Sequence, residues 1–313
     1  MTRNAAVEFP PSLDPQLAAF LRAAASAGAP PLTACSPAEA RARVRAGDAL
    51  VAPGPALPGV RDLTIPGATD VPARLYPASG PAALGTVVYL HGGGWVTGDL
   101  EYSDAFCRHL ATDAGCTVLS VDYRLAPEHP FPAALDDAWS ALEWAGRELT
   151  GPLVVAGDSA GGALAAACAL RARDGHGPVL AAQLLVYPVL DADLTRPSYE
   201  SNGTGLLIGP GEMAWFWDHY MPEKDRRLDP LAAPLRAADA AGLPPAVIVV
   251  ADLDPLRDEG LTYTERLGAA GVPVRLRHVR GLVHGFLRLT GRVEAAAAQA
   301  PAIAADLRAL LAG

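Results

Sequence analysis

The chain has 313 residues, of which half are hydrophobic, and a formal net charge of −9 at pH 7. This length suits one large α/β domain or two ordinary ones, with ample apolar residues for a sizeable core. The acidic balance argues against a nucleic-acid partner, which needs a basic face, and no apolar run approaches the length of a membrane span.

The N-terminal part of the chain is predicted to form two helices. Asp14 and the proline after it are a capping residue and a first helical position, which predicts a helix over 16–27. Ser36 and Glu39 have the spacing of a capping box, which begins a second, arginine-rich helix. A proline- and glycine-rich link over 53–59 separates these helices from the rest of the chain.

Strands and helices alternate through most of the remaining chain. Strands over 60–65 and 71–76 are predicted to pair as an antiparallel hairpin. Further strands are predicted over 86–90, 117–121, 153–156, 183–187, 246–251 and 274–279, and helices over 103–114, 131–149, 160–173, 258–270 and 293–312. Apolar strands separated by helices are typical of a parallel sheet covered on both faces. The sequence therefore predicts an α/β fold with a mostly parallel, doubly wound central sheet of about eight strands, flanked by helices.

Residues 192–236 interrupt the alternation. They contain a stretch predicted to be flexible, 202–205, and one predicted helix crowded with large side chains: Met213, Trp215, Phe216, Trp217 and Tyr220. An insertion after a strand is tolerated over the active face of such a fold. We therefore predict a single domain over 1–313 with a helical cap formed by 1–52 and about 192–236. The alternative is a helix packed on the flank of the sheet.

The four cysteines, at positions 35, 107, 116 and 168, have no metal-ligand spacing. Cys116 and Cys168 are predicted to be small core residues. Because the chain starts with no signal segment, we expect a cytoplasmic protein.

Ser159 is the candidate nucleophile. It lies in the run Gly-Asp-Ser-Ala-Gly-Gly at 157–162, between a short apolar strand and an alanine-rich helix. A serine on such a tight turn has its hydroxyl pushed out of the sheet, and the flanking glycines remove side chains that would clash there. The N-terminus of the helix adds unpaired N–H groups and a positive dipole end, which suit a site where negative charge develops.

A nucleophilic serine needs a base, which in turn needs an orienting acid. In this kind of fold the chain order is serine, acid, histidine. Of the seven histidines, only His278 and His284 follow the last candidate acid strand. His278 lies within the strand over 274–279, whereas His284 lies in the loop beyond it. We therefore predict His284 as the base, with a solvated loop histidine as the alternative.

The acid is expected at the end of the strand over 246–251. Asp252, Asp254 and Asp258 follow that strand. Asp254, which precedes a proline, also fits a helix cap, and so does Asp258 for the following helix. The spacing favours Asp252 or Asp254 over Asp258 and leaves the choice between the first two open.

Three successive glycines follow the strand over 86–90; they are Gly92, Gly93 and Gly94. They allow the backbone to approach a substrate, and with the N–H of Ala160 they are predicted to form an oxyanion hole. A phosphate-binding loop is disfavoured, since the chain has neither Gly-Lys-Ser/Thr here nor Gly-x-Gly-x-x-Gly opening a helix. His91, just before the glycines, is expected to fix the loop by hydrogen bonding.

With these residues assembled, the chain resembles the bacterial hormone-sensitive-lipase-like (family IV) esterases of the α/β-hydrolase fold, from about residue 12 to the last helix. His-Gly-Gly-Gly-Trp at 91–95 is similar to the family's oxyanion motif, and 157–162 to its nucleophile motif. His-Gly-Phe at 284–286 matches the histidine segment.

Two further segments carry the resemblance. Asp-Pro-Leu-Arg-Asp-Glu-Gly at 254–260 resembles the family's acid motif, whose first aspartate is the triad member. The resemblance therefore implies Asp254 as the acid. Residues 122–134 also match a family signature; from the residues alone, Arg124 and Glu128 in it are expected to form a structural ion pair.

The resemblance implies a serine carboxylesterase that hydrolyses short- to medium-chain esters through an acyl-enzyme intermediate, with no metal or organic cofactor. It implies that the protein acts on a small-molecule ester. It also implies that the protein is a monomer or a homodimer. The alternatives are an arylformamidase-like amide hydrolase and a non-catalytic small-molecule binder on the same fold. The substrate pocket is predicted to be lined by Trp95, Asp158, Leu206, Leu207, Ile208, Trp215, Phe216, Leu256, Val283 and Phe286.

Overall fold

An eight-stranded sheet forms the centre of the computed structural model, which describes residues 9–28, 30–80 and 83–313. In chain order the strands are β1 (Arg61–Ile65), β2 (Val71–Tyr76), β3 (Thr86–Leu90), β4 (Thr117–Val121), β5 (Leu153–Asp158), β6 (Leu180–Val186), β7 (Ala246–Leu253) and β8 (Val274–Val283). Their order in the sheet is β1-β2-β4-β3-β5-β6-β7-β8. The predicted β1–β2 hairpin is antiparallel and β2 joins β4 antiparallel, whereas all later neighbours are parallel.

Helices cover both faces of this sheet. They are α1 (Pro15–Ser26), α2 (Pro37–Ala46), α3 (Leu100–Thr112), α4 (Ala133–Glu148), α5 (Ala160–Arg171), α6 (Pro197–Asn202), α7 (Pro210–Tyr220), α8 (Arg257–Ala269), α9 (Glu294–Ala297) and α10 (Gln299–Ala312). None of the helices in the described ranges is long and apolar enough to cross a membrane.

The sheet separates two apolar layers, as β3 illustrates. Val88 and Leu90 enter the layer that contains α4 and α5, whereas Val87 and Tyr89 enter the layer of α3 and α10. Successive side chains of a strand point to opposite faces, so a strand buried on both sides is apolar at every position. This arrangement confirms the predicted α/β architecture.

The N-terminal helices begin as predicted. Asp14 accepts hydrogen bonds from the N–H groups of Gln16 and Leu17. Ser36 and Glu39 cap each other's backbone in a capping box. Each cap satisfies N–H groups that have no partner within the helix, so local sequence alone determines where both helices start.

β6 begins three residues before its predicted start, at Leu180, and three other strands extend further at their carboxyl ends than predicted. β5 continues to Asp158, β7 to Leu253 and β8 to Val283, because the added residues still pair with a neighbouring strand. The loop predicted to carry His284 is therefore much shorter, and this histidine follows directly on the end of β8.

Residues 192–236 contain α6, α7 and two short 3₁₀ turns. Trp217 and Tyr220 of α7 are buried against Trp95, with ring centroids 4.8 and 4.2 Å away. Asn202, at the start of the stretch predicted to be flexible, is only 3% exposed.

The cysteines are free thiols in the core or at its margin. Cys107, Cys116 and Cys168 are buried, and Cys35 is half-buried. Burial confirms the prediction of Cys116 and Cys168 as core residues. No group of three or more His, Cys, Asp or Glu side chains within the described part of the chain is arranged to hold a metal ion.

Candidate active site

The predicted site residues meet at the carboxyl edge of the sheet. Ser159 follows β5 directly, Asp254 follows β7, His284 follows β8 and the three glycines begin just after β3. Parallel strands all end at this edge, which is where open α/β sheets place their ligands. Four segments far apart in sequence are thus brought together by the sheet alone.

Ser159 is held in a strained turn. Its backbone φ is +54°, a region that a side chain rarely adopts, and its N–H donates to the carbonyl of Val186 at 2.9 Å. A Cβ at Gly157 would overlap the backbone of Gly161, and one at Gly161 would overlap the carbonyl of Leu90. The glycines are therefore required by the close approach of the helix to the strand ends.

Ser159, His284 and Asp254 form a continuous hydrogen-bonded line. Ser159 Oγ lies 2.9 Å from His284 Nε2, and His284 Nδ1 lies 2.9 Å from Asp254 Oδ2. Asp254 is 1% exposed and its Oδ1 accepts the N–H of Leu256 at 2.7 Å. The Tyr187 ring packs edge-on against the imidazole, with centroids 4.9 Å apart. Asp254 is thus the partner of the histidine. The alternative helix-cap role is not observed, because α8 begins at Arg257 with Leu256 at its N-cap and without a side-chain cap.

The other two aspartates have different partners. Oδ1 of Asp252 lies 3.3 Å from Nε2 of His278, a residue of β8. Asp258 accepts the N–H of Ser198 at 2.9 Å. Of the three candidates, Asp254 is the one placed against His284.

Two glycines of the loop lie beside Ser159. Gly93 and Gly94 have φ of +111° and +62°, and both line the cavity beside the serine. Within the described ranges, the N–H groups of Gly93, Gly94 and Ala160 find no acceptor. Gly92 differs from the prediction, because its N–H donates to Asp158 at 2.8 Å and is not free for a substrate.

His91 supports this loop from behind. Its Nδ1 lies 2.8 Å from the carbonyl of Gly92, and its ring stacks on Tyr123 at a centroid distance of 4.2 Å. Burial lowers the pKa of His91 to about 4, so the ring is neutral near pH 7. This geometry fits the predicted loop-fixing role.

Asp158 lies under the glycine loop and does not line the cavity. Its Oδ1 accepts the hydroxyl of Tyr89 and the N–H of Gly92, each at 2.8 Å. The residue is 2% exposed, and burial raises the pKa of this carboxyl to about 6. It was predicted as a pocket residue, whereas its contacts are those of a support for the loop.

A cavity of about 300 Å³ opens beside Ser159. Of the ten predicted lining residues, Leu207, Ile208 and Phe216 border it. Trp95 and Leu256 lie in one core layer, Trp215 packs beside that layer, and the other core layer takes Leu206, Val283 and Phe286. The predicted lining residues that neighbour a motif are Trp95, Leu256, Val283 and Phe286, and all four are in the core. Their side chains are buried because the strand ends that hold the motifs are themselves buried.

The remaining lining residues come largely from parts of the chain without a motif. The N-terminal segment supplies Phe20, Leu32, Arg43, Val44, Gly47 and Leu50, and the body supplies Thr97, Tyr102, Glu212, Gly285, Arg288 and Leu289. These contacts join residues far apart in sequence, and nothing in the local pattern of α1 or α2 indicates which of their side chains would face a cavity.

Two arginines attach the N-terminal segment to the body. Arg41 pairs with Glu128, and its Nε and Nη2 donate to the carbonyls of Val96 at 2.8 Å and Ala126 at 2.9 Å. The predicted Arg124–Glu128 pair does not form.

Arg288 completes this attachment, whereas Arg124 pairs within the body. Arg124 instead binds Asp137 on α4, because the helix brings that buried carboxylate within reach. Arg288 donates to the carbonyl of Tyr102 and pairs with Asp48.

Comparison with known proteins gives a consistent result. Residues 87–288 match the model of a family described as having the alpha/beta hydrolase fold. A carboxylic ester hydrolase from Mycobacterium tuberculosis, LipN, is 45% identical over 251 residues, which are 76% of this chain and 67% of that protein.

Two relatives from Pseudomonas putida match almost the whole chain. An ethyl acetate hydrolase is 39% identical over 91% of this chain and 95% of its own length. The crystal structure of a thermostable esterase superposes with a TM-score of 0.90 at 34% identity, covering 97% of this chain and 99% of the other.

Proposed function

The chain belongs to the hormone-sensitive-lipase-like (family IV) esterases of the α/β-hydrolase fold and is a carboxylic ester hydrolase, and from this premise we propose that Ser159, His284 and Asp254 are its catalytic triad. The observation that carries this assignment is the line of two 2.9 Å hydrogen bonds from Ser159 Oγ through the imidazole to Asp254. A nucleophilic serine needs a base within hydrogen-bond distance, and the base needs an acid that orients it.

The geometry supports a two-step acyl transfer. Ser159 Oγ attacks the ester carbonyl carbon while His284 Nε2 takes its proton, and Asp254 stabilises the imidazolium that forms. The oxyanion accepts hydrogen bonds from Gly93, Gly94 and Ala160, whose N–H groups are otherwise unpaired in the described structure.

Collapse of this intermediate breaks the ester bond. The imidazolium gives its proton to the departing alcohol, and the acyl group stays on Ser159. Water then attacks the acyl-enzyme with His284 again as base, which releases the acid and restores the serine.

The cavity supports esters with short to medium acyl chains. Its volume of about 300 Å³ is at the lower end of the range for small-molecule sites. Its lining is mainly apolar, with Phe20, Val44, Ile208 and Phe216 around the space beside Ser159. The Pseudomonas putida relative is named for an ester of this size class, ethyl acetate.

The same residues support the proposed cap. Residues 20–50 and 207–216 supply most of the cavity wall opposite the strand ends, and α7 packs against the turn at Leu32–Ala34. We assign the cap to the described part of 1–52 together with about 192–236; residues 1–8, which were included in the prediction, lie outside the described residues.

Replacing Ser159 by alanine tests the triad. Hydrolysis of p-nitrophenyl butyrate should fall by about 10⁴-fold or more in kcat, because the nucleophile is lost. Ser201→Ala, a change at an exposed serine on α6, is the control and should keep full activity. A Ser159→Ala variant that retains more than a few per cent of the rate contradicts the assignment.

An acyl-length series from acetate to palmitate tests the substrate class. The maximum of kcat/KM should fall at short to medium chains, and a maximum at palmitate would contradict the proposal. An aryl formamide that is hydrolysed faster than every ester in the series would favour the amide-hydrolase alternative.

A further inference from the structure

The turn that carries Asp254 is held from outside by two side chains. This acid turn, residues 254–256, connects β7 to α8 and lies beyond the strand pairing of β7. Ser198 Oγ donates to the carbonyl of Pro255 at 2.6 Å. Asn202 Nδ2 donates to the carbonyl of Asp254 at 3.2 Å. Both donors belong to α6, a helix of the inserted segment.

The two donors are buried and committed to the turn. Ser198 is 0% exposed and Asn202 is 3% exposed. In the described structure Ser198 Oγ is the partner of the Pro255 carbonyl, whereas the Asp254 carbonyl also accepts the N–H of Arg257. Buried carbonyl groups need such partners, so Ser198 is the more important of the two.

Further contacts fix the position of α6 itself. The N–H of Ser198 donates to Asp258 at 2.9 Å, and the N–H of Asp258 returns to Ser198 Oγ at 3.3 Å. The N–H of Asp191 donates to Glu259 at 2.8 Å. Asp258 and Glu259 belong to the same motif as the triad aspartate, and the proposed reaction uses neither of them. Their contacts show that the second half of the motif anchors the segment that holds the first half.

The carboxylate of Asp254 has little freedom once this turn is fixed. Its Oδ1 accepts the N–H of Leu256 at 2.7 Å, within the same turn, and its Oδ2 lies 2.9 Å from Nδ1 of His284. The position of the turn thus determines the position of both oxygens. A shift of the turn therefore moves the acid relative to the imidazole. Misplacement by about 1 Å is enough to cost on the order of 100-fold in rate.

We propose that Ser198 and Asn202 are positioning residues for Asp254. By binding the carbonyl side of the acid turn, they hold its carboxylate at the distance from which it orients the imidazole of His284. The inference rests on the proposed triad and adds a role for α6 in catalysis, through contacts with no residue of the substrate cavity.

The test measures Ser198→Ala and Asn202→Ala separately, each in the wild-type chain and in an Asp254→Asn background. With Asp254 present, kcat for p-nitrophenyl butyrate should fall by about 10- to 100-fold, more for Ser198→Ala, with KM within about 3-fold. In the Asp254→Asn background, the same changes should lower kcat by less than about 2-fold, because the group they position is already lost. Ser201→Ala, on the same helix but exposed, is the matched control.

The two backgrounds separate positioning from general destabilisation. Thermal melting shows which variants are folded, and either single variant is sufficient for the comparison. A variant that acts only by reducing the folded fraction lowers kcat by the same factor in both backgrounds, which would overturn the inference. Unchanged kcat in both single variants would also overturn it. Full activity of Asp254→Asn alone is a different result, since it would overturn the proposed triad.

Discussion

The two sides of the cavity are held in place by different forces. On the side of the sheet, Ser159, His284 and the glycine loop are fixed by main-chain turns and buried hydrogen bonds. On the opposite side, α1 of the N-terminal segment buries Leu17 and Leu21 in a core layer. The segment is further attached through the pairs Arg41–Glu128 and Arg288–Asp48, whose carboxylates are 55% and 37% exposed. Exposed pairs are screened and contribute little. The catalytic groups are therefore held by the main chain around them, whereas the substrate-facing wall is held by side-chain packing and ion pairs between distant parts of the chain.

This difference has a kinetic meaning. Changes on the sheet side should lower kcat, because they move groups that act on the transition state. Changes on the N-terminal side should mainly alter KM, because that side lines the cavity away from the triad.

Gly94 lies on the sheet side of the cavity against Phe216 of α7, and after Ser159 its replacement should have the largest effect. Its φ is +62° and a Cβ would overlap the ring of Phe216. Gly94→Ala should lower kcat/KM for p-nitrophenyl butyrate by about 10²- to 10³-fold, the cost of one lost oxyanion donor. Adding Phe216→Ala should restore part of the loss, which would separate the clash from the backbone change.

Gly271→Ala is the control for Gly94→Ala. Gly271 also has a positive φ, +77°, but nothing lies within 4 Å of the position of its Cβ. This variant should lose about 1 kcal/mol of stability from backbone strain and keep its kcat. If Gly94→Ala stayed within 3-fold of the wild type, the proposed oxyanion role of this loop would be wrong.

The same contrast explains what the sequence could predict. Each motif on the sheet side is a short run beside a strand end, so Ser159 and His284 could be proposed from their local sequence. The choice of Asp254 over Asp252 came only from the resemblance to the family. Strand ends were less predictable: the extension of β8 to Val283 depends on pairing with β7. Apolar neighbours of the motifs were misplaced because burial in the core and exposure in a cavity demand the same residue types.

The N-terminal wall could not be predicted from local patterns. Phe20 and Val44 face the cavity only because their helices pack across the body of the protein. The ion pair between Arg41 and Glu128 joins residues 87 positions apart, whereas sequence proximity suggested Arg124 as the partner. Charge and spacing identify possible pairs, and tertiary packing selects among them.

Asp158 gives a prediction for the buried side. Burial raises its pKa to about 6 from an ordinary value of 3.8, so the neutral form favours the fold. Its contribution to stability is complete below pH 3.8 and is lost as pH rises through about 6. The free energy of unfolding of Asp158→Asn relative to wild type should therefore rise by about 2–3 kcal/mol between pH 4 and pH 7.

Denaturant unfolding at the two pH values measures this difference. Asn keeps an acceptor for Gly92 and Tyr89 but has no proton to lose. Asp225→Asn, at an exposed aspartate, is the control for the substitution itself and should change the free energy of unfolding by less than about 0.5 kcal/mol at both pH values. A flat difference between pH 4 and pH 7 for Asp158→Asn would show that this carboxyl is not desolvated as its burial implies.

The pair of Arg41 and Glu128 gives the smallest predicted effects, on the opposite side. Arg41→Ala removes the pair with Glu128 and two bonds to the carbonyls of Val96 and Ala126. KM for p-nitrophenyl butyrate should rise by about 3- to 5-fold with kcat within about 2-fold, and stability should fall by about 1–2 kcal/mol. Arg45→Ala, at an exposed arginine on the same helix, should change neither constant.

Glu128→Gln isolates the charge from the carbonyl bonds. The Arg41 guanidinium lowers the pKa of Glu128 to about 2, so its stabilisation is present above the ordinary value of 4.5 and is lost as pH falls through about 2. This is the opposite sign to Asp158. Because Glu128 is mostly exposed, the loss of stability should stay below about 1 kcal/mol and shrink further in high salt.

If Arg41→Ala instead lowered kcat as strongly as Gly94→Ala, the N-terminal segment would have to be counted with the catalytic side, because its attachment would then control the glycine loop through Val96.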